Sequence, residues 1–152
     1  MNFKHTISIL PWARAAVIGA ALISANAFAQ TAPNDALYRQ LGGQRGLVKL
    51  MDDFMLRLLA DPRMNPFFVD VDQKVFKSQF VAQLCEVSGG PCKRKGKDMK
   101  TLHSGQDITK SDFNAVVEVL QQSMDAQGIP FSAQNRLLAQ LAPMHREIIN
   151  AP

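Results

Sequence analysis

The stretch QRGLVKLMDDFMLRLLA, residues 44–60, decides the fold. Leu47, Val48, Leu50, Met51, Phe54, Met55, Leu58 and Leu59 recur in it at steps of three and four residues. A helix gathers such residues into one broad apolar stripe, whereas a strand would scatter them over both faces. Asp61-Pro62 closes the run. The same spacing returns downstream. Within residues 73–87, Val75, Phe76, Phe80, Val81 and Leu84 form a second stripe, stopped by Gly89-Gly90-Pro91. Thr109-Lys110-Ser111-Asp112 offers a capping hydroxyl and a first-turn acid. Phe113, Val116, Val117, Leu120 and Met124 follow, as far as Gly128-Ile129-Pro130. Ser132 is the expected cap of a last helix carrying Leu137, Leu138, Leu141, Met144 and Ile148. Between these lie a turn-rich segment around Asn65-Pro66-Phe67-Phe68, a basic and poorly periodic loop, Lys93-Arg94-Lys95-Gly96-Lys97, and a short helical piece from Met99 to Ser104. No run alternates at period two long enough for a strand. The expectation is an all-α domain of four main helices with shorter connectors and no internal repeat.

At 152 residues the chain has room for one ordinary domain. Its beginning reads differently from the rest. Residues 1–14 carry Lys4 and Arg14 without an acid, residues 15–28 are uncharged and mostly apolar, and Ala27-Phe28-Ala29 follows the small-x-small rule. That order predicts a Sec-type signal peptide over residues 1–29, cut between Ala29 and Gln30, and hence a periplasmic or secreted protein. A membrane anchor is the weaker alternative, because a spanning helix needs about 20 apolar residues. Residues 30–36 read as a short linker and 37–150 as the domain. Without residues 1–29, 123 residues remain and the net charge falls from +4 to +2, so the basic bias belongs partly to the targeting segment. Trp12 and His5 leave with it, Tyr38 remains the single tyrosine, and His103 and His145 are the only histidines left.

Export implies an oxidising compartment, in which Cys85 and Cys92 can bridge across the turn Glu-Val-Ser-Gly-Gly-Pro. So short a closed loop stabilises by roughly 2–3 kcal/mol on the chain-entropy model. A metal site or a redox pair is weaker, for want of further ligands and of C-x-x-C spacing. The segment from Lys93 to Lys100 has no interleaved aromatics and no nucleic-acid motif, so it reads as a solvated loop. No carboxylate, cysteine or serine arrangement suits hydrolysis. His103 remains, at the end of a short helical piece and before Ser104-Gly105. A lone histidine there is more often structural or exposed. Its setting among phenylalanines and methionines on helix faces suits a haem iron, which needs an axial nitrogen and dry walls.

The order of several short markers resembles the group I truncated haemoglobins over about Leu37 to Asn150. They are Leu37-Tyr38-Arg39-Gln40-Leu41-Gly42-Gly43, Asp53-Phe54, Leu59-Ala60-Asp61-Pro62, Pro66-Phe67-Phe68, Gly89-Gly90-Pro91, Gly96 and Met99 leading to His103, then Gly105, Ile108-Thr109 and Phe113. The resemblance implies an all-α truncated globin fold, a two-over-two helical sandwich around haem b. His103 matches the proximal iron ligand, Phe68 packs on the porphyrin, and Phe54, Met55, Phe76, Phe80 and Met99 complete the cofactor-binding set. Met55 stands where many relatives carry a tyrosine that donates to bound oxygen. Phe76, Gln79 and Phe80 match the positions on the facing helix. The distal side is therefore more apolar than usual, at a loss of about 1.5–3 kcal/mol of hydrogen bonding to oxygen. Gln79 and Gln83 read as replacement donors or as solvent-facing amides. Met55 reads as a gap-filler or as a second iron ligand. Met144, not His145, falls where some relatives bond covalently to haem, so non-covalent haem and a surface His145 are implied. Some of Arg94, Lys97 and Lys100 would meet the propionates.

Three functions follow. The first is a haem globin that binds diatomic gases (oxygen, nitric oxide or carbon monoxide), with nitric oxide dioxygenation put in doubt by Met55. The second is a periplasmic electron-transfer protein with Met55 and His103 both on the iron and a separate redox partner. The third is a cofactor-free helical binding module.

Overall fold

The computed structural model describes residues 34–151, so the predicted signal peptide lies outside the described residues. The helices are α1 (Ala36–Gln40), α2 (Gly43–Ala60), α3 (Asn65–Phe68), α4 (Gln73–Val87), α5 (Met99–His103), α6 (Lys110–Ala126), α7 (Phe131–Leu141) and α8 (His145–Ile148), with one 3-10 turn at Ala142–Met144. Among the described residues there is no strand.

Local chemistry sets the boundaries. A Cβ at Gly46 would collide with the Leu41 carbonyl, so glycine lets the end of α1 lie on the first turn of α2. Asp72 caps α4 by accepting from the Val75 N–H at 3.0 Å. At α6, Thr109 and Asp112 form the reciprocal capping box expected there: the Thr109 hydroxyl accepts from the Asp112 N–H, and the Asp112 carboxylate accepts from the Thr109 N–H. Two expectations need correction. Ser132 does not cap α7. Pro130 holds the cap position, with φ −57° and ψ 137°, and its carbonyl accepts from Ala133 and Gln134 at 2.8 and 3.1 Å. The fixed φ of proline sets the helix entry two residues earlier. The last helix also breaks before Met144, because Pro143 lacks the N–H that would continue the ladder, and a 3-10 turn carries the chain into α8. The segment expected as a turn at Asn65–Phe68 closes into one helical turn with Pro66 near its start.

Packing follows the stripes. The α2 residues Leu47, Leu50, Met51, Phe54, Met55 and Leu58 are all buried, and burying such side chains stabilises by about 1.5–3 kcal/mol each. Helix α2 packs on α4 and α6, and α7 packs on the same two helices from the other end of the chain. The four long helices thus form two crossed layers, with Val81, Leu84, Val119, Leu120, Met124 and Leu137 closing one core. Val48, in the same stripe, stays 44 % exposed at the rim. The short α5 rests on α8, and neither α3 nor α5 has a buried residue.

Candidate functional site

Helix α5 is short and explicitly capped. The Asp98 carboxylate accepts from the Thr101 N–H at 2.8 Å and from the Thr101 hydroxyl at 3.0 Å. These bonds hold the Asp98 carboxyl below the usual aspartate range. At the other end of the helix, the half-buried His103 places Nδ1 2.8 Å from the Met99 carbonyl oxygen. A carbonyl only accepts, so Nδ1 carries a proton, and in the neutral imidazole the lone pair is then on Nε2. That tautomer and that backbone partner are what a metal-ligating imidazole uses to fix its ring. Met99 is half-buried and supplies this positioning carbonyl.

The predicted aromatics come together as a ladder across α2, α3 and α4. Phe68 meets Phe76 edge-on with centroids 5.3 Å apart, and Phe76 meets Phe80 at 5.7 Å. Phe80 in turn meets Phe54 at 5.7 Å. Only Phe54 is fully buried. Phe68, Phe76 and Phe80 keep part of their apolar surface open. Met55 is 2 % exposed in the core beside Phe54. No hydroxyl or other hydrogen-bond donor stands at that position.

The two glutamines separate. Gln79 is exposed, and a Cβ on Gly96 would lie 3.9 Å from its Oε1, so α4 approaches the loop leading to α5 at this point. Gln83 is buried and donates to Met144 Sδ at 3.8 Å, which excludes the solvent-facing reading for that residue. Met144 therefore reaches α4 through its sulfur. His145 is exposed, with its ring 6.3 Å from Phe113 and Nδ1 on the Ala142 carbonyl.

Cys85 and Cys92 are bridged, with Cα atoms 5.7 Å apart. The bridge ties the buried end of α4 to the start of the basic loop. Gly90 is required in that turn, since a Cβ there would press at 2.7 Å on both Cys85 Sγ and the Tyr38 ring. Glu86 adds a second tie that the sequence did not signal. Its carboxylate takes the Arg94 N–H at 2.9 Å and the Lys93 ammonium at 3.1 Å, and both contacts hold its carboxyl below the usual range. The Arg94 guanidinium is engaged by the Lys97 carbonyl. Lys97 and Lys100 make no ion pair among the described residues, which leaves both cations available near α5. Two surface grooves, of about 270 and 400 Å³, lie outside this cluster, against Met51 and Lys77 and against Pro143 and Arg146 respectively.

The profile of the bacterial-like globins matches residues 36–150. The chain belongs to that family. Among curated relatives, the group 1 truncated haemoglobin of Mycolicibacterium paratuberculosis is 30 % identical over 113 residues, covering 74 % of this chain and 83 % of the relative. That of Chlamydomonas moewusii is 32 % identical over 119 residues, covering 77 % of this chain and 70 % of the relative. Among solved structures, the ferric truncated haemoglobin of Tetrahymena pyriformis superposes with a TM-score of 0.72 at 25 % identity, covering 75 % of this chain and 97 % of that one. The 2/2 haemoglobin of Synechococcus sp. PCC 7002, solved with covalently attached haem, gives 0.70 at 22 % identity, covering 75 % and 98 %, and speaks for the fold alone. The two crossed helix layers of this globin are thus the two-over-two truncated haemoglobin arrangement, as the sequence resemblance implied.

The residues present fit the haem that globins carry. The donor set is one imidazole oriented by a backbone carbonyl, three half-open phenylalanine rings cluster on α3 and α4, and Lys97 and Lys100, in no ion pair among the described residues, lie just before and within α5. The residue types were named from the sequence, but the Nδ1 contact with Met99, the ties of Glu86 and the contacts of Asn150 were not. The last two act through folded-chain proximity rather than through a local pattern.

Proposed function

We propose that this globin binds haem b non-covalently, with His103 Nε2 as the axial ligand, and takes a diatomic gas on the opposite face. The observation that carries this reading is the His103 Nδ1 bond to the Met99 carbonyl, which fixes the ring and keeps Nε2 out of that bond, as in a metal-ligating imidazole. Phe68, Phe76 and Phe80 would supply apolar surface against the haem and keep water from it, and Lys97 or Lys100 would pair with a propionate. Bound haem supplies an iron that coordinates oxygen, nitric oxide or carbon monoxide. The chain's own part on the gas side is steric and apolar: Met55 fills a core position without donating a hydrogen bond. Retention of oxygen is accordingly weak, and carbon monoxide and nitric oxide, which depend less on a distal donor, are favoured over it.

We also infer that the protein works after export, in the periplasm or outside the cell. Residues 1–29 have the order of a cleaved signal peptide, and the Cys85–Cys92 bridge suits an oxidising compartment.

The test is spectroscopic. Apo-protein from which residues 1–29 have been removed, titrated with haemin and then reduced, should develop a Soret band saturating at one haem per chain. His103→Ala should lose the histidine-ligated spectrum, and added imidazole should restore it. A His103→Ala spectrum identical to that of the parent protein would refute the axial assignment. No Soret band in the parent protein would end the haem reading altogether.

A further inference from the structure

We infer that Asn150 is a positioning residue for His103, a role resting on the haem reading above. The chain beyond α8 returns to the loop between α5 and α6 and locks it at both ends. The Asn150 carboxamide bonds at both of its ends: Oδ1 accepts from the Ile108 N–H at 2.8 Å, and Nδ2 donates to the His103 carbonyl. The Asn150 and Ala151 backbone N–H groups both donate to the Ile108 carbonyl at 3.0 Å. Ile108 is thus held from its donor and its acceptor by one short segment, and its side chain is 8 % exposed.

The loop needs such a lock. Between His103 and Ile108 the backbone takes positive φ twice, at Gly105 (75°) and at Asp107 (51°). Asp107 is the single non-glycine residue with positive φ among the described residues, and such a conformation persists only where the surroundings over-determine it. Only one bond within the loop reaches the His103 carbonyl, from the Gln106 N–H at 3.3 Å. α5 itself has five residues and no buried side chain, so it cannot hold the imidazole rigidly by its own packing. The His103 ring is fixed to the Met99 carbonyl at one end, and its own carbonyl is fixed to Asn150 at the other. Asn150 therefore limits how far the ring can turn or retreat relative to the haem plane.

Two variants separate the two halves of the lock. Asn150→Ala removes both side-chain bonds. Asn150→Asp keeps an acceptor for Ile108 and loses the donor to His103. In the apo-protein, hydrogen–deuterium exchange at the Ile108 amide should speed up by about tenfold in Asn150→Ala and little in Asn150→Asp. In the ferrous haem protein, the iron–histidine stretching band measured by resonance Raman should shift or broaden in both variants. Gain of exchange at Ile108 with an unchanged iron–histidine band in both would confine Asn150 to loop closure and overturn the proposal. Unchanged exchange and an unchanged band in folded Asn150→Ala would overturn it outright. Failure of the haem reading shows separately, as a parent protein with no iron–histidine band, while the exchange measurement on apo-protein still reports on the lock.

Discussion

Replacing both Cys85 and Cys92 by alanine should cost about 2.5 kcal/mol of stability through the lost cross-link. That figure follows from the loop it closes. The cysteines are seven positions apart, and the chain-entropy relation for a loop of that size gives roughly 8 cal/mol/K, or about 2.5 kcal/mol at 25 °C. Cys85 is completely buried, so the emptied sulfur site adds up to about 1 kcal/mol. Serine would be a poorer replacement, because it would bury a hydroxyl there. Native closure of the turn should nevertheless survive. The Gly90 N–H still donates to the Cys85 carbonyl at 2.7 Å, and Glu86 still holds Lys93 and the Arg94 N–H. Most of the loss therefore belongs to the unfolded state, and the helical circular dichroism and the haem spectrum should be unchanged. For a domain of this size the loss corresponds to a melting temperature lower by roughly 8–15 °C. Urea denaturation followed by circular dichroism measures it directly, with dithiothreitol-treated parent protein as the second route to the same state. A loss below about 1 kcal/mol by both routes would refute the reasoning, since it would mean that the open chain already keeps this turn closed.

Three further outcomes follow. Met55→Tyr should slow oxygen dissociation from the ferrous protein by about 10- to 150-fold, the equivalent of a 1.5–3 kcal/mol hydrogen bond, while Met55→Phe, matched in bulk, should not. Stopped-flow displacement of oxygen by carbon monoxide reads this, and equal rates in the two variants would remove position 55 from the gas side. Phe54→Ala should destabilise by about 3–5 kcal/mol in urea, because it empties a fully buried site and removes the end of the aromatic ladder. The Asp98 cap should give α5 an acid limit. Its carboxyl is held below the unfolded aspartate value of about 3.9, so its contribution is fully present above that pH and is lost as pH falls through the lower folded value. Asp98→Asn, whose amide does not titrate, should shift the acid end of haem release monitored at the Soret band, and an unchanged profile would exclude the cap from that transition.

The sequence spoke most clearly where one residue type does one local thing. Three- and four-residue spacing located α2, α4 and α6, and Thr109 with Asp112 marked a cap that is present in both its bonds. It misled at Ser132, because a serine is a good cap anywhere in principle, while Pro130 two residues earlier takes the helix entry by its fixed φ. The order of residues along the chain singled out His103 and the phenylalanines, and the latter do cluster. The Nδ1 bond to Met99 was not legible, since an i to i+4 contact of this kind depends on a five-residue helix forming at all. Gln83 stayed open between a donor to bound gas and a surface amide because its neighbours in sequence do not reveal Met144, which lies 61 positions away. Glu86 and Asn150 were silent for the same reason: each holds a loop by contacts that exist only after the helices have packed.

The distribution of burial makes a last prediction about how the cofactor and the fold depend on each other. The core of α2, α4, α6 and α7 is closed by its own side chains, with six fully sequestered positions on α2 alone. By contrast α3 and α5, which carry Phe68 and His103, bury nothing completely. A five-residue helix is too short to persist by itself, and its ties are a cap at Asp98 and the Asn150 contact at its far end. Removing haem should therefore leave the four long helices folded and loosen the short ones. Amide exchange in the apo-protein should be slow through α2 and α6 and fast from residue 95 to residue 105, and haemin should protect the second region with little effect on the first. The opposite pattern, with α5 amides as protected as those of α2 before haem is added, would show that α5 is preformed. It would then follow that the binding energy is not spent on ordering α5.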